Sequence, residues 1–346
     1  MTCGYDRTRS NMTINAMMKT VPKLDYVASN GDSKRRFDLL GIGECMVEFY
    51  SDSPLRTASI LRRSYGGDVL NALVACARLG GRCGFITKVG DDPFGEGLLK
   101  AWTQEGINTE CAPQTPGDNG VYFISTSEDG EREFTYRRQG TPASCLGVSD
   151  IKEAYLGQSR WLLLSGITQA LSQSARAATL AAAQIAKHLG VRVAYDPNYR
   201  PRLWDSQGGI EAARSAFREI AQYADWVLPS HPVDSLLLGS TFEAGENAAF
   251  FTAHGFAAYC PNVALKCGAD GCIVSNETGV QIIPGAVARS VVDTTGAGDL
   301  WNGCFLHQLM TGNSANVAAV FANKQAAGKL AYRGAIPPAR VEKVPA

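Results

Sequence analysis

The stretch Val291-Val292-Asp293-Thr294-Thr295-Gly296-Ala297-Gly298-Asp299-Leu300-Trp301-Asn302 decides how the rest of the chain is read. Gly296 and Gly298 let the backbone turn its N–H groups toward one point, and the run from Asp299 to Leu309 has a helical pattern. Convergent amides at a helix N-terminus, reinforced by the helix dipole, form a hole for an anion. Asp299 stands at the rim of that hole, where a carboxylate can accept the proton of an attacking hydroxyl. In isolation, a Gly-x-Gly-Asp turn is equally a helix cap. Its surroundings have to decide between the two.

Working outward, short apolar runs alternate with longer helix-patterned stretches from Phe37 onward. The spacing predicts strands at Phe37–Ile42, Gly84–Val89, Trp161–Ser165, Val191–Tyr195, Trp226–Leu228, Val263–Lys266 and Cys272–Val274. It predicts helices over 70–79, 93–104, 175–189, 209–224, 299–309 and roughly 314–332. This alternation defines an α/β fold, a doubly wound and mostly parallel sheet flanked by helices. Residues 1–36 are polar and turn-rich and read as a mobile extension, with an organelle-targeting role as the alternative. Residues 37–346 read as one domain, large enough for a substantial core.

Composition narrows the partners. Lysine plus arginine equals aspartate plus glutamate at 33 each, so the chain carries no net charge that favours nucleic acid or an anionic membrane. No window supplies the ~18 apolar residues of a membrane span. The ten cysteines include no Cys-x-x-Cys pair, and none of the four histidines stands at zinc-ligand spacing from one, which reads as reduced thiols in a cytoplasmic protein. A small molecule is the expected partner.

One segment breaks the alternation, the hairpin-patterned run Gly120-Val-Tyr122-Phe-Ile-Ser-Thr-Ser-Glu-Asp129-Gly130-Glu-Arg132-Glu-Phe134-Thr-Tyr136-Arg137-Arg138. Asp129-Gly130 suits a two-residue turn, and the two-residue period puts Phe134, Tyr136 and Arg138 on one face of the returning strand. The hairpin is either a flap over a ligand or an edge hairpin with a solvated basic face. Val121, Phe123 and Phe134 are expected on one apolar face, where a second chain could pair to give a homo-oligomer. Two more glycine loops frame the site. Tyr65-Gly66-Gly67-Asp68…Asn71 precedes a helix, and Lys266-Cys-Gly268-Ala-Asp-Gly271 follows a buried strand, where α/β sheets hold ligands. Neither a P-loop nor a dinucleotide fingerprint is present, and no nucleophile elbow occurs.

In this order the segments resemble the ribokinase (PfkB) family of carbohydrate kinases, from about Phe37 to the C-terminus. The resemblance implies ATP and Mg²⁺ as cofactors, with lid segments near 48–65 and 118–138. It assigns Asp299 as the base, with Gly296, Ala297 and Gly298 as the anion hole. It gives ATP contacts to Asn198, Lys266, Gly268, Gly271, Asn323 and the Thr295–Gly298 turn, and sugar contacts to Gly66, Gly67, Asn71, Tyr122, Ile167 and Asp299. The stretches Glu133–Arg138, Leu164–Thr168, Asp196–Trp204 and Tyr332–Pro337 are similar to those of family members acting on keto-deoxy sugar acids. That likeness gives the substrate carboxylate to Tyr136, Arg138 and Arg200, chemistry that guanidinium and phenol groups suit.

The sequence departs from the family in two places. Val233 stands where an acid near the magnesium network is expected, leaving Asp234, one residue late, as the candidate metal contact. Leu300-Trp301 replaces the usual small residue and Phe after the base. Three readings of function follow: a kinase of a keto-deoxy sugar acid, a kinase of a neutral ketose or of a galactose-derived keto-deoxy acid, and a catalytically silent binding protein.

Overall fold

A computed structural model of the chain describes residues 35–127, 132–239, 245 and 247–338. The N-terminal extension and the Asp129-Gly130 turn lie outside the described residues. The main sheet has nine strands, in the spatial order Gly279–Pro284, Gly271–Asn276, Val263–Lys266, Trp226–Val227, Arg192–Asp196, Ser159–Ser165, Phe37–Ile42, Cys83–Ile86 and Ile107–Asn108. Seven of these run parallel, and the first two form an antiparallel hairpin on one edge. The central strands are buried along nearly their whole length because helices cover both faces, which is why their sequences are apolar runs without alternation. One core lies on each face, with Leu39, Phe85, Trp161 and Phe305 in one and Leu40, Leu164, Tyr195 and Phe217 in the other.

Two helices set the geometry of the site. Asp68–Arg78 and Ala297–Met310 pack against each other on one face of the sheet. They meet backbone to backbone at Gly303, where an added Cβ would stand 2.1 Å from the Ala72 carbonyl oxygen. Any larger residue at 303 would push apart the starts of both helices, which carry the two glycine loops.

A second, four-stranded sheet stands apart from the first, in the order Arg62–Gly66, Met46–Tyr50, Gly120–Thr126 and Arg132–Arg137. The first two of these strands escape the sequence reading. Arg62–Gly66 is polar and half exposed, so it gives no apolar run, and Met46–Tyr50 follows Phe37–Ile42 too closely to be separated by composition. The pairing also corrects the expected apolar face. Phe134 lies opposite Ile124 and Tyr136 opposite Tyr122, so Phe134 shares the Tyr122 side, while Val121 and Phe123 point the other way. Phe123 stacks on Phe49, whose ring meets Phe94 edge-on. The strand expected over 84–89 ends at Ile86, and Val89–Gly90 pairs separately with Gln114–Thr115. Among the described residues no helix is long and apolar enough to cross a membrane.

Candidate active site

The small sheet, the Asp92–Phe94 loop, Ile167 and the segment from Arg200 to Ser206 line a cleft of about 1650 Å³. Its lining includes Tyr136, Arg138, Ile167 and Arg200, four of the residues expected from sequence, together with Phe134 and Arg132.

The turn before the Ala297–Met310 helix is linked to this cleft by charge, since Arg200 on the cleft wall acts on Asp299 at the helix start. Gly296 caps it with φ of 73°, a left-handed conformation that glycine adopts without strain. Asp293 roots the turn, because its Oδ1 accepts from Thr295 N at 2.8 Å and from Thr295 Oγ1 at 2.7 Å, and its Oδ2 accepts from Gly334 N at 2.8 Å. This narrows the expected anion hole. The Thr295 amide serves Asp293, and the Ala297 amide closes the turn onto the Thr294 carbonyl at 3.2 Å. No described residue accepts from the N–H groups of Gly296, Gly298 or Asp299, which remain as the donors for an anion. A Cβ at Gly298 would meet nothing within 4 Å, so the backbone there opens onto free space of the kind a phosphate needs.

Asp299 occupies the first turn of the helix, and its Oδ2 accepts from Asn71 Nδ2 at 2.8 Å. Burial pushes its carboxyl up to about 7, with the charges of Asp68 and Asp196 adding to the rise and Asn71 and Arg200 opposing it. A carboxylate with that affinity can take a proton from a hydroxyl near neutral pH and release it to solvent. Asn71 thus orients Asp299, while its Oδ1 faces the Gly67 amide at 3.4 Å, joining the two glycine loops.

Asp68 and Asp196 complete this acidic cluster, and the sequence reading quoted both without giving either a role. Asp68 Oδ2 accepts from Ser165 Oγ and from Asn198 Nδ2, and its buried Oδ1 has no hydrogen-bond partner. Burial holds the Asp68 carboxyl above its ordinary range. Asp196 is bound by Lys266 Nζ at 3.0 Å and Asn302 Nδ2 at 2.6 Å, and the Asn198 amide donates to it. Asn198 pays for its place with φ of 40°, the only positive value among the described non-glycine residues. A non-glycine residue held there marks a site that the surrounding fold over-determines.

Several residues expected to contact ligands make hydrogen bonds within the protein. Lys266 Nζ gives its three donors to Asp196, the Leu228 carbonyl and Asn302 Oδ1, so it neutralises the cluster from inside. Asn323 accepts from Trp301 Nε1 at 2.7 Å and donates to the Pro284 carbonyl at 3.0 Å, which ties two helices to the sheet edge and explains how Trp301 is accommodated. Tyr122 gives its hydroxyl to buried Glu48. Asp234 is held within the fold, where its two oxygens accept from Tyr199 N at 2.7 Å and Ser230 N at 2.6 Å, and it is 1% exposed. Gly268 and Gly271 turn the chain between Val263–Lys266 and Gly271–Asn276 with φ of 60° and 100°. Among the described residues no group of three His, Cys, Asp or Glu side chains closes on one point.

Two arginines on the cleft wall differ. Arg138 is mostly buried and forms an ion pair with Glu44, a 2% exposed residue with no other partner, while its guanidinium lies 5.5 Å from the centre of the Tyr136 ring. Arg200 is exposed on the cleft wall, and its guanidinium makes one 3.3 Å bond, to the Tyr199 carbonyl. Tyr136 stacks between Phe134 and Tyr122, with its hydroxyl unpaired among the described residues.

A Gly-rich helix start with open donors, a poised carboxylate and a facing polar cleft defines an enzyme that moves a phosphoryl group onto a hydroxyl. The family model for pfkB family carbohydrate kinases matches residues 37–342, and the chain belongs to this family. The 2-dehydro-3-deoxygluconokinase of Dickeya dadantii is 33% identical over 88% of this chain and 97% of its own. The crystal structure of a PfkB protein from Polaromonas sp. JS666 aligns with a TM-score of 0.74 at 29% identity, covering 84% of this chain and 95% of that one. A provisionally named ribokinase II of E. coli, in complex with ATP and Mg²⁺, shares the fold with a TM-score of 0.77 at 24% identity, over 87% and 94%. The protein is a carbohydrate kinase with a ribokinase-like fold.

Proposed function

We propose that the protein transfers the γ-phosphoryl group of ATP to the 6-hydroxyl of 2-keto-3-deoxygluconate. The observation that carries this reading is Arg200, a guanidinium on the cleft wall with no ion pair among the described residues, which lines the cleft together with Tyr136. A neutral sugar would leave that cation unmatched, whereas a sugar acid offers a carboxylate for charge-assisted bonds. The name of the Dickeya relative agrees with it.

In this mechanism the sugar carboxylate lies against Arg200 and Tyr136, and the chain of the sugar runs toward Asp299. Asp299, oriented by Asn71, accepts the proton of the 6-hydroxyl as the new O–P bond forms. The bond from the γ-phosphorus to its bridging oxygen breaks, and its electron pair leaves with ADP. The amides of Gly296 and Gly298 hold the charge on the transferring group. Mg²⁺, bound with the nucleotide, supplies charge neutralisation on the phosphate oxygens. The small sheet, acting as a lid over segments 48–65 and 118–138, keeps out water that competes as acceptor.

A coupled ADP-release assay with 2-keto-3-deoxygluconate, its galactose-derived epimer and fructose tests the reading. Turnover is expected to be highest with the gluconate-derived acid. Equal or better turnover with fructose would reject the acid-sugar reading, and no acceptor-dependent ADP release at all would favour a silent binding protein.

A further inference from the structure

The small sheet touches the turn before the base helix through an ion pair, from Arg132 at the start of the returning strand to Asp293. Both residues lie outside the assignments drawn from sequence. Arg132 Nη1 donates to Asp293 Oδ1, the oxygen that also receives the Thr295 amide and hydroxyl. The other oxygen receives the Gly334 amide, and the buried Lys329 ammonium donates to the Asp293 carbonyl at 3.0 Å. The two ends of the pair differ in how firmly the fold holds them. Asp293 is fixed from several sides and its side chain is 7% exposed, whereas every residue of the Arg132–Arg137 strand except Thr135 is exposed. Strands with few buried contacts belong to the low-stability part of a fold and move most readily.

We infer that Arg132 is a positioning residue, through which the hairpin's seating over a bound sugar fixes the anion-binding turn and commits the phosphoryl group to the sugar instead of water. Where the hairpin lifts, Oδ1 loses one of the donors that share it, and the Thr295–Gly298 turn loses its tie to the lid. The amides of Gly296 and Gly298 are then less firmly aimed, and displacements of about 1 Å in such groups cost about 10²-fold in rate. The inference rests on a sugar lying beneath the hairpin, and not on which sugar it is.

The experiment measures ADP released and sugar phosphate formed, in the same reaction, for the wild type, Arg132→Met and Arg132→Lys. Wild type is expected to give one ADP per sugar phosphate. Arg132→Met is expected to lower kcat about 10²-fold, with little change in the KM for ATP and a ratio of ADP to sugar phosphate above one; Arg132→Lys should recover part of both. Arg132 is half exposed, so the variant is expected to fold, and a thermal melt checks it. Folded Arg132→Met with wild-type kcat and strict one-to-one stoichiometry would overturn the inference. So would an effect of the same size in an Asp293→Asn background, since the two residues would then act independently. If Asp293→Asn does not fold, the stoichiometry of Arg132→Met decides alone. A wild type with no acceptor-dependent turnover would instead count against the reading beneath it.

Discussion

The two parts of the site, which we assign to phosphate and to sugar, are built differently. The phosphate end is made of backbone, three open amides at a helix start held by Asp293, and lies within seven consecutive residues. The sugar end is made of side chains from distant segments, with Glu44, Tyr136, Arg138 and Arg200 brought together by the fold. Chemistry encoded in a local turn survives in the sequence as a motif. Chemistry assembled by tertiary pairing does not, as the two arginines demonstrate: alike in sequence context, one is neutralised by a buried glutamate and the other is open.

The sharpest way to break this contrast is at the phosphate end. Asp299→Asn keeps the shape and removes the base, and turnover is expected to fall about 10²- to 10⁴-fold with ATP affinity nearly unchanged, as measured by steady-state kinetics and nucleotide binding. An active Asn variant would remove Asp299 from the mechanism. At the sugar end, Glu44→Gln leaves the Arg138 charge buried without a counter-ion, at an expected cost of about 3–5 kcal/mol in stability by denaturant titration. Glu44→Gln combined with Arg138→Met should recover much of that loss. A mild effect of the single change would mean that Arg138 is solvated and able to serve the substrate directly.

The smallest effect expected is a graded one. Because Asp299 must be ionised to accept a proton and its carboxyl is raised to about 7, kcat/KM for the sugar should decline as pH falls below about 7. The slope should approach about tenfold per pH unit. A flat profile from pH 7 to 5 would place the base's ionisation well below this range.

The main sheet was legible because buried parallel strands are uninterrupted apolar runs, as at Trp161–Ser165 and Val263–Lys266. The strands Met46–Tyr50 and Arg62–Gly66 were not, since neither a buried run nor a clean alternation marks them. In the site, the turn and Asp299 could be read directly. The hydrogen bonds of Lys266, Asn323 and Asp234 could not, because a motif records that a polar residue stands at a position without recording its partners in the fold. Here they point into the fold. Asp68 and Asp196 were within reach, as acids inside the quoted Gly66-Gly67-Asp68 and Asp196-Pro-Asn198 segments, but only the structure brings them together beside Asp299.

The central claim, that this kinase selects a sugar acid through Arg200, is tested most directly by the ratio of kcat/KM for 2-keto-3-deoxygluconate to that for fructose, in the wild type and in Arg200→Ala. Losing a charge partner from the substrate carboxylate is worth about 2–5 kcal/mol. The ratio should therefore favour the acid in the wild type and fall at least about 30-fold in the variant, with fructose little affected. An unchanged ratio, or a parallel loss on both sugars, would contradict the account.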